Sequence, residues 1–149
     1  MTCTYEQTVN EILALFNASL LNINSLLGYS AHIEWPGIDS GTTIDNSKFW
    51  ARISLQQVTS GQSTLSENVS SNGQKRFTST GLIFVQIFAP KDNTSLPLLQ
   101  KVDMLVQNCF RHSTANVILR NSRIKELNPT DGSLNHNVIA DYEFDEIGG

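Results

Sequence analysis

Hydrophobic positions crowd together once in this chain, over 80–90, where Leu82, Ile83, Phe84, Val85, Ile87, Phe88 and Ala89 run almost without a break. Branched and ring side chains suit a pleated surface. Gly81 stands before the run and Pro90 closes it, so the pattern predicts a strand of about eight residues. Side chains alternate across a strand. Ile83, Val85 and Ile87 then share one face, and Leu82, Phe84, Gln86 and Phe88 the other. Both faces are apolar apart from Gln86. A strand that faces water on one side would alternate with polar residues, so something must cover each side.

The segments around it divide by period. Val9, Ile12, Leu13, Phe16, Leu20 and Ile23 or Leu27 recur at helical spacing and predict a long amphipathic helix over 4–27. Thr4 and Gln7 fit a capping box, and Gly28 stands where a C-terminal cap belongs. At ~1.5 Å per residue this helix would reach roughly 35 Å, enough to cross a sheet. Asn17, Asn22 and Asn24 weaken its second half and predict an early end. A short strand follows over 31–35, stopped by Pro36, and then a polar loop over 36–47. The 49–58 stretch alternates, with Ala51, Ile53 and Leu55 against Trp50, Arg52, Ser54 and Gln56, as a half-buried strand does. Residues 59–79 hold little apolar content beyond Leu65, Val69 and Phe77. A structureless loop of that length is unusual in a compact domain. The Asn72-Gly73 pair favours a projecting β-hairpin arm, and a loop ordered by a partner is the other option. Beyond the central strand, Ser95 is the expected N-cap and Pro97 fits the first turn. A second helix then carries the stripe Leu98, Leu99, Val102, Leu105, Val106 and Cys109. Strands over 115–124 and 137–145 flank a turn at Asn128-Pro129-Thr130-Asp131-Gly132. In the last strand Val138, Ala140, Tyr142 and Phe144 point inward, while Asn137, Asp141, Glu143 and Asp145 point outward. The fold class is therefore α+β, in the order α-β-β-β-α-β-β. A mostly antiparallel sheet of four to five strands is flanked by two helices and carries a long hairpin arm. Residues 1–149 form a single domain without repeat or linker.

Charge sharpens this picture. The net charge is −4 and only 16% of residues are charged, which argues against a strongly basic nucleic-acid binder. Every charged residue before Lys48 is acidic, as is every one from Glu126 onward, so all Lys and Arg lie between Lys48 and Lys125. Ordinary solvated faces account for such a pattern. A molecule with one acidic and one basic surface, able to stack on its neighbours, is the sharper alternative. Cys3 and Cys109 lie far apart, one near the start and one on a helical stripe, which points to reduced thiols in an intracellular protein. No signal peptide and no span of ~18 apolar residues is expected. The three Asn-x-Ser matches, at Asn17, Asn68 and Asn93, are then chance in an Asn- and Ser-rich chain.

Catalytic signatures do not emerge. The chain has no Gly-rich phosphate loop, no Gly-x-Ser-x-Gly elbow, no His-Glu-x-x-His and no Cys-x-x-Cys. His32, His112 and His136 lack ligand spacing, and a small hydrolase would need a convergent Ser/His/Asp site around His136. Asp141, Glu143 and Asp145 share a strand face and could in principle hold a divalent cation, but a polar outer face explains them better. Trp35, Trp50 and Phe77 could stack bases, yet no basic cluster surrounds them. The expectation is a non-enzyme with no cofactor and no metal.

Phe49-Trp50-Ala51-Arg52-Ile53, a polar arm, Arg76-Phe77 and then 81–90 (GLIFVQIFAP) form a pattern that resembles a known family. The pattern is similar to tail terminator (tail completion) proteins of long-tailed bacteriophages and prophages, of the lambda-like minor tail protein U type. Similarity spans most of the chain from Phe49 on, and includes the apolar helix over 96–110 and the aromatic-acidic strand over 139–145. The resemblance implies a structural virion protein, a homohexameric ring that caps the tail tube, ends its polymerisation and offers a surface to head-completion or connector proteins. It implies a place in the virion tail at the head–tail junction, after assembly in the host cytoplasm, with DNA passing through the lumen unread and no membrane. On that basis Arg52, Lys75, Arg76, Phe77, Leu82, Phe84 and Phe88 are the expected subunit or tube contacts. Asp141, Glu143 and Asp145, or the acidic N-terminal residues, are assigned to a lumen or upper face. The 59–79 arm departs from the family in length and in Ser/Asn content. A head–tail connector (stopper) protein of the neck is the nearest alternative. A tail-tube subunit fits less well, because such proteins are built mainly of strands.

Overall fold

The computed structural model describes residues 4–37, 45, 47–62, 75–92, 94–114, 116–127 and 133–148, without the side chains of 59–62, 75–77 and 146–148. The elements run α1 (Tyr5–Leu27), β1 (His32–Glu34), β2 (Trp50–Gln62), β3 (Lys75–Pro90), α2 (Ser95–Cys109), β4 (Val117–Glu126) and β5 (Ser133–Gly148). The five strands form one sheet in the order β1-β2-β3-β5-β4. β1 lies parallel to β2, and every other neighbouring pair is antiparallel. This is the α+β class and element order that the sequence pattern predicts.

α1 begins on the expected capping box. The Thr4 hydroxyl accepts from the Gln7 N–H at 3.1 Å, and Gln7 Oε1 accepts from the Thr4 N–H at 2.9 Å. Gly28 ends the helix at φ 82°, in the left-handed region that glycine tolerates. The asparagines do not end it early. Asn24 Oδ1 instead accepts from the Ala31 N–H at 2.9 Å and fastens the returning chain to the last turns. Tyr5 lies against Phe144 of β5 and Phe16 against Trp35 just past β1, so α1 does cross the sheet. Ser95 is not the N-cap of α2 but its first helical residue. Asp92 performs the capping: its Oδ1 accepts from the N–H groups of Thr94 and Ser95 at 2.9 and 2.8 Å and from both hydroxyls. These bonds hold the exposed Asp92 carboxyl below the usual carboxylate range.

Both helices pack on one face of the sheet. Ile12, Phe16 and Ile23 of α1, with Leu99, Val102 and Val106 of α2, meet Ile83, Val85 and Ile87 of β3, and all of these are buried. Burial on β3 alternates as predicted: Leu82, Phe84, Gln86 and Phe88 face the other way and are half-buried.

The central strand is twice its expected length, with 16 residues. Gly81 lies within it, and the Thr- and Ser-rich stretch before it continues the ladder on both edges. β2 pairs with β3 out to Gln62↔Phe77, and β5 pairs with β3 out to Gly148↔Lys75. The described parts of the expected hairpin arm, 59–62 and 75–79, therefore belong to a three-stranded ribbon in which β5 takes part. Its Asn72-Gly73 turn, Cys3 and the 128–132 turn lie outside the described residues.

Gly81 has a steric task. It pairs with Tyr142, whose ring lies over it, and a Cβ there would overlap both that ring and the Gln56 carbonyl oxygen. A ring can turn aside, but a ladder carbonyl cannot without opening the β2–β3 pairing. Gly81→Ala is expected to cost about 3 kcal/mol, the upper part of the overpacking range. Thermal unfolding should show that as a midpoint lowered by roughly 8 °C.

Candidate functional site

The sheet face opposite the helices is the candidate site, and ladder register decides its layout. Trp50, Phe88 and Asn135 form one row across β2, β3 and β5; Arg52, Gln86 and Asn137 form the next. Ser54, Phe84 and Ile139 follow, and then Gln56, Leu82 and Asp141. The apolar side chains thus form two groups along a diagonal, Trp50 with Phe88 and then Phe84, Ile139 and Leu82, with the polar Arg52–Gln86–Asn137 row between them. Trp50 stacks on Phe88 with centroids 4.1 Å apart and planes 10° apart. The Arg52 guanidinium lies 5.5 Å from the Trp50 ring centroid, a cation–π distance. Trp50 is buried, and its Nε1 has no hydrogen-bond partner; nor do Asn135 Oδ1 and Asn137 Oδ1 on β5, across β3 from it. Each such orphan group costs about 1–3 kcal/mol. A hollow of about 340 Å³ opens at the far end, between Val58, Leu82, Ile118, Arg120 and Asp141.

Leu82, Phe84, Phe88 and Arg52 therefore share one surface, as the alternation predicts. Lys75, Arg76 and Phe77 lie on the same strand, beyond the hollow, but their side chains are outside the described residues. Asp141, Glu143 and Asp145 are also on this face, without forming an acidic patch. Glu143 pairs with Arg120 at 3.2 Å and Asp141 with Arg123 at 3.3 Å. Asp145 accepts from the Thr78 hydroxyl at 2.7 Å. The basic strand β4 lies beside the acidic strand β5, so charges separated along the chain cancel in space. A bulge assists: Asn121 adopts φ 54°, its amide donates to Asp141 Oδ2 at 2.9 Å, and its carbonyl accepts from Arg123 at 2.8 Å. Asn tolerates that left-handed conformation better than most residues. Among the described residues no group of three or more His, Cys, Asp or Glu side chains could hold a metal ion.

His136 is not at this surface. It faces the helices, is buried, and is in contact through Nδ1 with Asp103 Oδ2. Asp103, absent from the apolar stripe read in the sequence, is buried with Leu99, Val102 and Val106. The signal was present in the sequence: Asp103 sits four residues after Leu99 and three before Val106, on the apolar side. Burial pushes the Asp103 carboxyl up to about 6, against the opposing pull of His136. Among the described residues no hydroxyl or thiol hydrogen-bonds to His136. The pair ties α2 to β5. Burial raises the Cys109 thiol to about 12, which makes it unreactive.

Comparisons with known proteins leave the family open. No family model matches the chain, and no curated protein is detectably similar. One solved structure, of a protein whose name carries no functional description, is similar over 89% of this chain and 94% of its own, at 14% identity and a TM-score of 0.48. A likeness at that level supports no argument about function.

The Asp103 carboxyl yields a signed prediction. Its folded-state value is raised from 3.8 to about 6, so the native state keeps a proton that the unfolded chain has lost. Its contribution to stability is complete below about pH 4 and falls as pH rises through 6, by up to roughly 3 kcal/mol. Denaturant midpoints of the wild type and Asp103→Asn, compared from pH 4 to 7, should diverge across this window, because the amide has no proton to lose.

Proposed function

We propose that this protein is a structural component of a bacteriophage virion. It closes the tail tube as a ring, ends tube polymerisation and offers its outer surface to head-completion or connector proteins. The observation that carries the proposal is the open sheet face. Phe84, Phe88, Leu82 and Ile139 stay partly exposed in a lone chain, in two apolar groups divided by the Arg52–Gln86–Asn137 row, and apolar side chains left open on a sheet face suit a contact site. The sequence resemblance points to the same family, through the strands that build this face. Arg52, Lys75 and Arg76 would contact the tube or a neighbouring subunit. The paired carboxylates Asp141 and Glu143 suit a surface that DNA passes without being held, since a lumen lined with unpaired Lys and Arg would bind its phosphates. The buried Asp103–His136 pair favours this non-enzymatic role over a hydrolase.

Native mass spectrometry at low and moderate salt, combined with electron microscopy of phage tail tubes mixed with the protein, tests the proposal. A discrete species near six copies of the 16.5 kDa chain is expected, capping one end of each tube and stopping its growth. Phe84→Asp should weaken that capping at least tenfold, in the range of losses at a central interface residue. Binding to portal or adaptor rings, with no binding to tubes, would make the protein a neck stopper instead.

A further inference from the structure

The two edges of the sheet are finished differently. On β4 the chain guards its own edge. The Val117 N–H donates to Thr114 Oγ1 and the Val117 carbonyl accepts from the Thr114 N–H, both at 3.0 Å. The Leu119 N–H donates to Ser113 Oγ at 3.1 Å, and the Ser122 carbonyl accepts from Gln107 Nε2 at 2.9 Å. On β2 the cover stops early. β1 pairs only with Trp50, Ala51 and Arg52, while β2 continues to Gln62 with β3 on its other side. Among the described residues no strand lies along β2 from Ile53 onward. The 53–62 stretch contains no charged residue and no proline, the usual devices that keep an edge strand from pairing. A bulge at Val58 is the one interruption.

A second half-edge opens at the same end of the sheet. β4 begins opposite Phe144 of β5, but β5 runs on to Gly148. Past Phe144 the sheet is the three-stranded ribbon β2-β3-β5, with one flank of β2 and one flank of β5 unpaired among the described residues. Both strands are antiparallel to β3, so β2 and β5 run parallel. A second copy placed beside the first by rotation about an axis near the strand direction therefore brings its β5 parallel to β2.

We propose that β2 beyond Arg52 is a self-association edge that takes the end of β5, residues 145–148, from a second copy as an added strand. Strand addition of this kind gives affinity through main-chain hydrogen bonds. The contact is head-to-tail and satisfies both open flanks at once, whereas a twofold β2–β2 pairing would leave β5 uncovered. Head-to-tail contacts close into rings when the rotation permits. The proposal concerns how copies meet and stands or falls separately from the virion role.

Val58 is the place to test it. The register steps from Gln57↔Gly81 to Thr59↔Thr80, so Val58 has no partner on β3. A proline there replaces no register-matched residue of the β2–β3 pair and hinders an incoming strand. Gln57→Lys is the second variant and places a charge on the same edge without touching the apolar face. By native mass spectrometry the wild type is expected to self-associate. Each folded variant should fall to 16.5 kDa, with an unfolding midpoint within about 3 °C of wild type. Contacts are then read in a chain with Cys3 and Cys109 replaced by Ser and Val58 by Cys. A benzophenone maleimide is placed on that cysteine, and 15N-labelled and unlabelled copies are mixed. A cross-link to 145–148 of the other copy is expected. A wild type that stays monomeric, or variants that fold and still assemble like wild type, would overturn the proposal. So would cross-links from β2 to β2. Assembly that persists in both variants but is lost in Phe84→Asp would leave the ring in place and put its contact on the face instead.

Discussion

Everything else in this molecule depends on β3 being hydrogen-bonded along both edges. Twelve of its residues are matched to β2 and all sixteen to β5, and its Ile83, Val85 and Ile87 form the floor on which both helices rest. Strand pairing fixes two faces that cannot be exchanged, because a slip of one residue would turn Phe84 and Phe88 onto the helices and Ile83 and Val85 into water. Gly81 is part of the same constraint. It allows the Tyr142 ring to fold over the strand while the ladder runs on into the ribbon. The cost is a position that accepts no side chain.

The one-sided helix layer sets what the other face can be. With α1 and α2 both spent on the Ile83 side, the Leu82 side has only its own cross-strand neighbours. Stacking of Trp50 on Phe88, with Arg52 above the indole, covers the aromatic surface at one end, at the expense of a buried indole N–H without an acceptor. Toward the other end Phe84, Ile139 and Leu82 are flanked by Ser54, Gln56 and the Asp141–Arg123 pair, which shield them only in part. Two apolar groups, divided by the Arg52–Gln86–Asn137 row and bordered by polar side chains, combine the apolar anchors and polar contacts of which interfaces are made.

Period and punctuation carried the fold into view from the sequence. The Thr4 box and Gly28 marked α1, and the double-sided apolar run marked β3 as central. Alternation assigned Val138, Ala140, Tyr142 and Phe144 to the core. Three features escaped because each depends on a partner distant in the chain. The length of β3 comes from the 143–148 stretch of β5, which no local pattern connects to 75–80. The role of Asp92 as a cap was hidden by the better-looking Ser95, since both offer an oxygen and only the backbone path decides which one meets the free N–H groups. The Asp103–His136 pair joins residues 33 apart; a single aspartate on an apolar stripe signals burial, but not with whom. Within the site, the Leu82, Phe84 and Phe88 face was readable from alternation alone, whereas the diagonal with Trp50 and Ile139 needed the registers.

Charge shows most directly why a sequence trend need not become a surface. Acidic residues gather toward the C-terminus and basic ones before them, a distribution that suggests two oppositely charged faces. The antiparallel β4–β5 ladder folds one block onto the other, and the Asn121 bulge turns Arg123 toward Asp141. Two pairs form on partly exposed side chains, where each contributes little to stability. Their larger effect is on what the face can attract. Without them, three carboxylates beside Leu82 would repel an acidic partner and repel each other. With them, the border of the apolar diagonal is close to neutral, so shape and burial rather than long-range attraction select what docks there.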